Sequence, residues 1–110
     1  LQKKDIEVAK QYLKTGLALN SYKNAIAAFE NFISDHPGSI YRKDAYYGRF
    51  KAAYELALQS VPQKVDERLK ESLVYYDDFV KYFGDSDLME EANEIKNDIE
   101  IRLGTTEVPS

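Results

Sequence analysis

His36 is the only histidine among the 110 residues, and histidine is the side chain whose ordinary pKa suits proton transfer near neutrality. It stands beside Pro37 at the start of His36-Pro37-Gly38-Ser39, a chain-reversing sequence. Nothing nearby completes a nucleophile–base pair, so it reads as a solvated turn residue. Asp85 and Asp87 share the D-x-D spacing of a calcium loop, but the glycine and distal glutamate of an EF-hand are missing. Helix capping accounts for both. Asp77-Asp78 read as solvated charge on the outward side of a helix. There is no cysteine, and no glycine-rich phosphate loop. No residue is therefore assigned to catalysis or to a metal, and no cofactor is implied.

Four residues invite a different chemistry, that of protein recognition. Tyr75 and Tyr82 lie seven apart at the margin of an apolar helical arc, and Arg42 and Arg49 lie seven apart on one seam of another helix. Arg42 falls in a first helical turn, where the macrodipole disfavours a cation by several tenths of a kcal/mol. Arginine and tyrosine are the types most enriched at binding hot spots. Arg42, Arg49, Tyr75 and Tyr82 are accordingly the candidate partner-binding residues. The competing explanation is that both tyrosines pack against the third helix or a repeat outside this chain. Most of the other tyrosines and phenylalanines sit at core spacing.

Five segments carry apolar residues at helical spacing, near 3–19, 22–35, 40–60, 62–83 and 87–103, and none alternates like a half-buried strand. The first has Ile6, Ala9, Leu13, Gly16 and Leu17 on one face, and Val8, Tyr12 and Leu19 on a second. Asn20-Ser21 reads as its stop and the next helix's cap. Tyr22, Ala25, Ile26, Phe29, Phe32 and Ile33 line the second. The third has two apolar faces: Tyr41, Ala45, Gly48, Ala52 and Leu56 on one, Tyr46, Phe50, Ala53, Tyr54, Ala57 and Val61 on the other. Such a helix is buried on both sides. The small face admits a close neighbour, which explains a glycine costing about 1 kcal/mol in a helix interior. Ser39 reads as its cap. Pro62 suits the first turn of the fourth helix, whose arc runs through Val65, Leu69, Ser72, Leu73, Tyr76, Phe79, Val80 and Phe83. Asp87 and Glu90 read as a capping box for the fifth, which buries Leu88, Ala92, Ile95, Ile99 and Leu103. Gly104 stops it. Residues 1–103 form the helical domain and 104–110 a tail or linker.

Composition agrees with a globular helical chain: 44 % hydrophobic, 31 % charged, net charge −4. The acidic balance argues against nucleic acid as a partner. No apolar run reaches the roughly 18 residues of a membrane span. The chain opens on Leu1 and its single methionine is Met89, which reads as a mature form or an excised piece. Charge is uneven: residues 85–110 hold eight carboxylates against two cations, and 39–70 seven cations against four carboxylates. Balance between solvated faces is the simplest reading.

The chain also matches itself at an offset of 47: Tyr22, Ala25, Phe29, Phe32, Ser39 and Ala45 fall on Leu69, Ser72, Tyr76, Phe79, Ser86 and Ala92. A helix–turn–helix unit recurring in this way indicates an α-solenoid. Ala25, Phe29 and Pro37 resemble the small–aromatic–proline signature of the tetratricopeptide repeat; their counterparts Ser72, Tyr76 and Gly84 lack the proline. The offset exceeds that family's 34 residues by about 13, which lengthened third and fourth helices absorb.

The run AI..F..FI...PGS.YR.DA, followed by AAYELA..SV..K..ER, resembles the BamD family of outer-membrane β-barrel assembly lipoproteins over roughly residues 6–103. That resemblance implies part of a longer repeat array. It implies protein partners: the POTRA domains of the barrel-assembly subunit, other assembly lipoproteins and barrel precursors. It also implies the periplasmic face of the outer membrane, reached through a lipid anchor whose cysteine this chain lacks. The expectation is an all-α, tetratricopeptide-like α-solenoid of about five helices, acting as a non-catalytic protein-binding scaffold. The alternatives are a generic tetratricopeptide adaptor or co-chaperone, then cytoplasmic, and the regulatory domain of an enzyme.

Overall fold

A computed structural model describes residues 2–14 and 19–104. It contains α1 (Gln2–Lys14), α2 (Leu19–Asp35), α3 (Arg42–Leu58), α4 (Pro62–Phe83) and α5 (Met89–Leu103), with no strand among the described residues. The molecule measures 50 × 32 × 18 Å. Helix α3 touches all four of the others; besides its contacts, only α1–α2 and α4–α5 pack together.

Both faces of α3 are used. Ala45 and Ala52 join Ile6, Ala9, Ala25, Phe29 and Phe32 in one buried cluster. Tyr46, Phe50 and Ala57 join Leu69, Tyr76, Phe79, Ala92 and Ile99 in a second. Gly48 explains the tight side: a Cβ there would lie 2.3 Å from Cζ of Phe29, whose ring has no solvent exposure. Phe29 and Phe32 on α2 and their counterparts Tyr76 and Phe79 on α4 are all buried.

The turns also recur at the 47-residue offset. Ser39 Oγ accepts the Tyr41 N–H (3.0 Å), and Ser86 Oγ accepts the Leu88 N–H (3.3 Å). The carbonyls of the same serines accept the Arg42 and Met89 N–H groups.

Four boundary expectations need correction. Leu19 begins α2 and does not end α1, so Asn20 and Ser21 lie within a helix and neither stop nor cap one. The helix propensity deficit of either residue type is only about a few tenths of a kcal/mol, too small to end a helix by itself. Gly16 and Leu17 lie outside the described residues. Ser39 does not cap α3, whose N-cap is Tyr41 without a side-chain cap bond; the serine closes the turn two residues earlier, leaving Ile40 86 % exposed. The Asp87–Glu90 capping box does not form, because Leu88 is the N-cap of α5 and the Asp87 carboxylate accepts from Lys43 Nζ at 2.8 Å. Val61, assigned to a face of α3, is the exposed N-cap of α4. Helix α4 begins at Pro62 and ends at Phe83 as expected, and Gly104 ends α5 in the left-handed region (φ 69°).

Gly48→Ala tests the close approach. Propensity alone would stabilise α3 by about 1 kcal/mol, but the added methyl meets a core ring, and overpacking costs about 1–3 kcal/mol. The variant is expected to melt about 5–10 °C lower, with Phe29→Leu in the same chain restoring part of the loss. A rise in melting temperature for the single variant would show that the ring yields freely.

Candidate functional site

The four residues singled out for recognition meet along the seam between α3 and α4. Arg42, at the first position of α3, lays its guanidinium against three rings: Cζ is 5.2 Å from the Tyr46 centroid, 4.9 Å from Tyr82 and 6.0 Å from Phe83. Arg49, two turns on, stands 5.3 Å from Tyr46 and 4.3 Å from Tyr75. Tyr46 thus contacts both guanidinium groups. Arg49 Nη2 donates to Asp78 Oδ2 at 3.0 Å. Tyr75 directs its hydroxyl at Glu30 on α2, 3.5 Å away; its phenol pKa is raised, first by burial and then by the Glu30 charge.

Tyr46 and Asp78 belong to this cluster and were missed. Spacing assigns Tyr46 wholly to the core, and at 7 % exposure it is core; both guanidinium groups nonetheless lie over its ring. Asp78 had been read as solvated, yet it is half-buried against Arg49. The available signal was its spacing, three residues after Tyr75 and four before Tyr82, which puts all three on one strip of α4.

The cluster has an inner and an outer half. Arg49 keeps only 12 % of its side chain exposed and has a carboxylate. Tyr82 is 49 % exposed, and Arg42 has no carboxylate in contact among the described residues. Its one hydrogen bond is a long one from Nη2 to Tyr46 Oη (3.4 Å). The Nε atoms of both arginines are buried without a hydrogen-bond acceptor.

The opposite seam of α3 lines a groove that the sequence reading did not identify. One hollow of about 530 Å³ has Leu13, Tyr22, Phe29, Tyr47 and Leu88 as apolar walls, with Lys10, Lys14, Lys51, Asp44 and Glu55 around them. Lys10 reaches Asp44 across the helices at 2.9 Å. A second hollow of about 400 Å³ shares Tyr47, Lys51 and Glu55 and continues to Tyr54, Glu91, Glu94 and Ile95. The groove therefore runs from a lysine-rich end toward a glutamate-rich end.

Hydrogen bonds at a constant 44-residue separation tie α3 to α5 and the turn before it. Lys43 donates to Asp87, Tyr47 to Glu91 (3.1 Å) and Tyr54 to Asp98. Burial, then the acceptor carboxylate, pushes both Tyr47 and Tyr54 up to about 12. The Tyr54 hydroxyl, then Arg102, holds Asp98 below the usual carboxylate range. Lys43–Asp87 crosses between the basic stretch and the acidic C-terminal region as an ion pair. Within α5 itself, Asp98 pairs with Arg102 and Glu100 with Lys96.

His36 is not simply solvated. Its Nε2 lies 3.1 Å from Asp5 Oδ2, and its ring packs on Phe32 with centroids 4.8 Å apart. An ionised carboxylate only accepts, so Nε2 carries the proton. The contact joins the end of α2 to the start of α1.

No protein family and no curated protein matches the chain.

Two expectations follow. Both phenols raised to about 12 have ordinary values near 10, so their contribution to stability is complete below pH 10 and is lost as pH climbs from there to about 12. Two tyrosines should ionise late in a tyrosinate absorbance titration, and a Tyr47→Phe/Tyr54→Phe chain should lose that late component. Along the other seam, Tyr75→Ala should lower the melting temperature by about 5 °C or more, since the partly buried ring supports Arg49. Tyr82→Ala, removing a half-exposed ring, should cost less than half as much in the same thermal scan.

Proposed function

We propose that this chain is a non-catalytic, protein-binding scaffold of the helical-repeat type. On the resemblance of residues 6–103, we further propose that it serves outer-membrane β-barrel assembly. The observation that carries the scaffold reading is the groove along α3, with its apolar floor and its change of charge from lysine to glutamate. A groove of this kind suits an extended protein segment: apolar side chains fill the floor, and opposite charges along the segment set its direction. The tetratricopeptide-like solenoid is supported by the serine turns and buried aromatic pairs that recur 47 residues apart.

The partners proposed on the resemblance are POTRA domains, companion lipoproteins and barrel precursors. The proposed location is the periplasmic face of the outer membrane. None of the described helices is long and apolar enough to cross a membrane, so the association would use an anchor outside the described residues.

The test is direct binding of the full chain to an isolated POTRA-domain array by biolayer interferometry. Saturable binding is expected, with Lys14→Glu/Lys51→Glu weakening it about tenfold by reversing the basic end of the groove, while the melting temperature stays within about 2 °C. Absence of binding at about 100 μM would remove the assembly reading. Binding untouched by the double reversal would remove the groove.

A further inference from the structure

We propose that Arg42 is an anchor for a carboxylate side chain of a protein partner, with Tyr82 forming the apolar flank of the same contact. This goes beyond the groove, from which the arginine seam is separate. It rests on the protein-binding reading only in choosing a protein as the source of the carboxylate.

Four observations converge on Arg42. It occupies the first position of α3, where the helix field opposes a cation. Among the described residues no carboxylate contacts it, whereas Arg49 has Asp78. It is nevertheless packed among aromatic residues, with three ring centroids within 6.0 Å of its Cζ. Its Nε is buried without an acceptor, while the residue as a whole is only partly buried. An arginine packed among rings surrenders little side-chain freedom when it pairs, and its planar fork matches a carboxylate.

The surroundings favour a carboxylate over a phosphate. Lys81 adds a second cation near Tyr82, its Nζ 5.3 Å from the ring centroid, so Arg42, Arg49 and Lys81 stand against two bonded carboxylates, Asp78 on Arg49 and Glu30 on the Tyr75 hydroxyl. The local surplus is positive on a chain whose net charge is −4. A phosphate dianion calls for several committed donors. Arg49, the nearest second guanidinium, is already engaged and mostly buried. The half-exposed Tyr82 ring beside Arg42 suits an apolar residue next to the partner's acid.

The test uses the full chain and three short probes: acetyl-Leu-Glu-Leu-amide, its glutamine analogue and its phosphoserine analogue, with phosphatidylglycerol vesicles as a fourth. Nuclear magnetic resonance follows the arginine Nε–H and tyrosine ring signals. The glutamate peptide should shift the Arg42 and Tyr82 signals saturably, and the glutamine peptide should bind about tenfold more weakly, as loss of a charge-assisted bond requires. Arg42→Gln should abolish the shift at Tyr82. Arg42→Lys should keep the charge but weaken binding several-fold, because an ammonium lacks the fork. Arg49→Gln should have the smaller effect. Equal shifts from glutamate and glutamine peptides would overturn the proposal, as would a response centred on Arg49. Tighter binding of the phosphoserine peptide or the vesicles than of the glutamate peptide would also overturn it. The peptide measurement stands whether or not a POTRA array binds, so failure of the assembly reading and failure of this anchor are separable.

Discussion

One helix has to be buried on two sides at once, and the rest of the structure depends on that constraint. Helix α3 separates two clusters that do not otherwise share a buried residue, one toward α1 and α2, the other toward α4 and α5. The small side works only because Gly48 carries no side chain where Phe29 lies. The large side works because Tyr46 and Phe50 reach the aromatic residues of α4. Removal of α3 would leave the two outer pairs joined by little more than the long Tyr75–Glu30 contact.

Burial on two faces confines the polar residues of α3 to two narrow strips, and each strip borders a candidate surface. Arg42 and Arg49 occupy one, facing the tyrosines of α4. Asp44, Lys51 and Glu55 occupy the other, facing the groove. The scaffold and its binding chemistry are thus parts of one helix. A substitution that rotates or shifts α3 would disturb both surfaces together, whereas changes on α1 or α5 would reach the groove alone.

The two strips use charge differently. On the groove side, hydroxyl donors of Tyr47 and Tyr54 meet carboxylates of α5, a neutral-to-charged pairing to which Arg102 adds a cation at Asp98. On the arginine side, rings do what carboxylates usually do. Each cation–π contact contributes about 0.5–2 kcal/mol, enough to offset the several tenths of a kcal/mol that the helix field costs at Arg42. Arg49 combines rings with an ion pair and is structural in character. Arg42 has rings and one long bond to the Tyr46 hydroxyl, which leaves its capacity for a carboxylate unused within the described residues.

Much of the architecture was legible in the chain because helical spacing is a local signal. The two-sided burial of α3, the arc of α4 from Pro62 to Phe83 and the equivalence of Phe29 and Phe32 with Tyr76 and Phe79 all follow from periodicity and a self-match. So does the seam of α3 that holds Arg42 and Arg49. Local signals misled where two capping devices competed: Ser39 and Asp87 can both cap, but one serves a turn and the other a lysine on another helix. Three features needed the tertiary structure. The groove is made by four helices, α1, α2, α3 and α5, and no single stretch contains its shape. The Tyr47–Glu91 and Tyr54–Asp98 bonds depend on the register of α3 against α5. The inequality of Arg42 and Arg49, identical in type and seven residues apart on one seam, depends on where Asp78 of α4 comes to rest. Spacing along one helix determines which face a residue shares, but only the packing of a second helix decides which charge it meets.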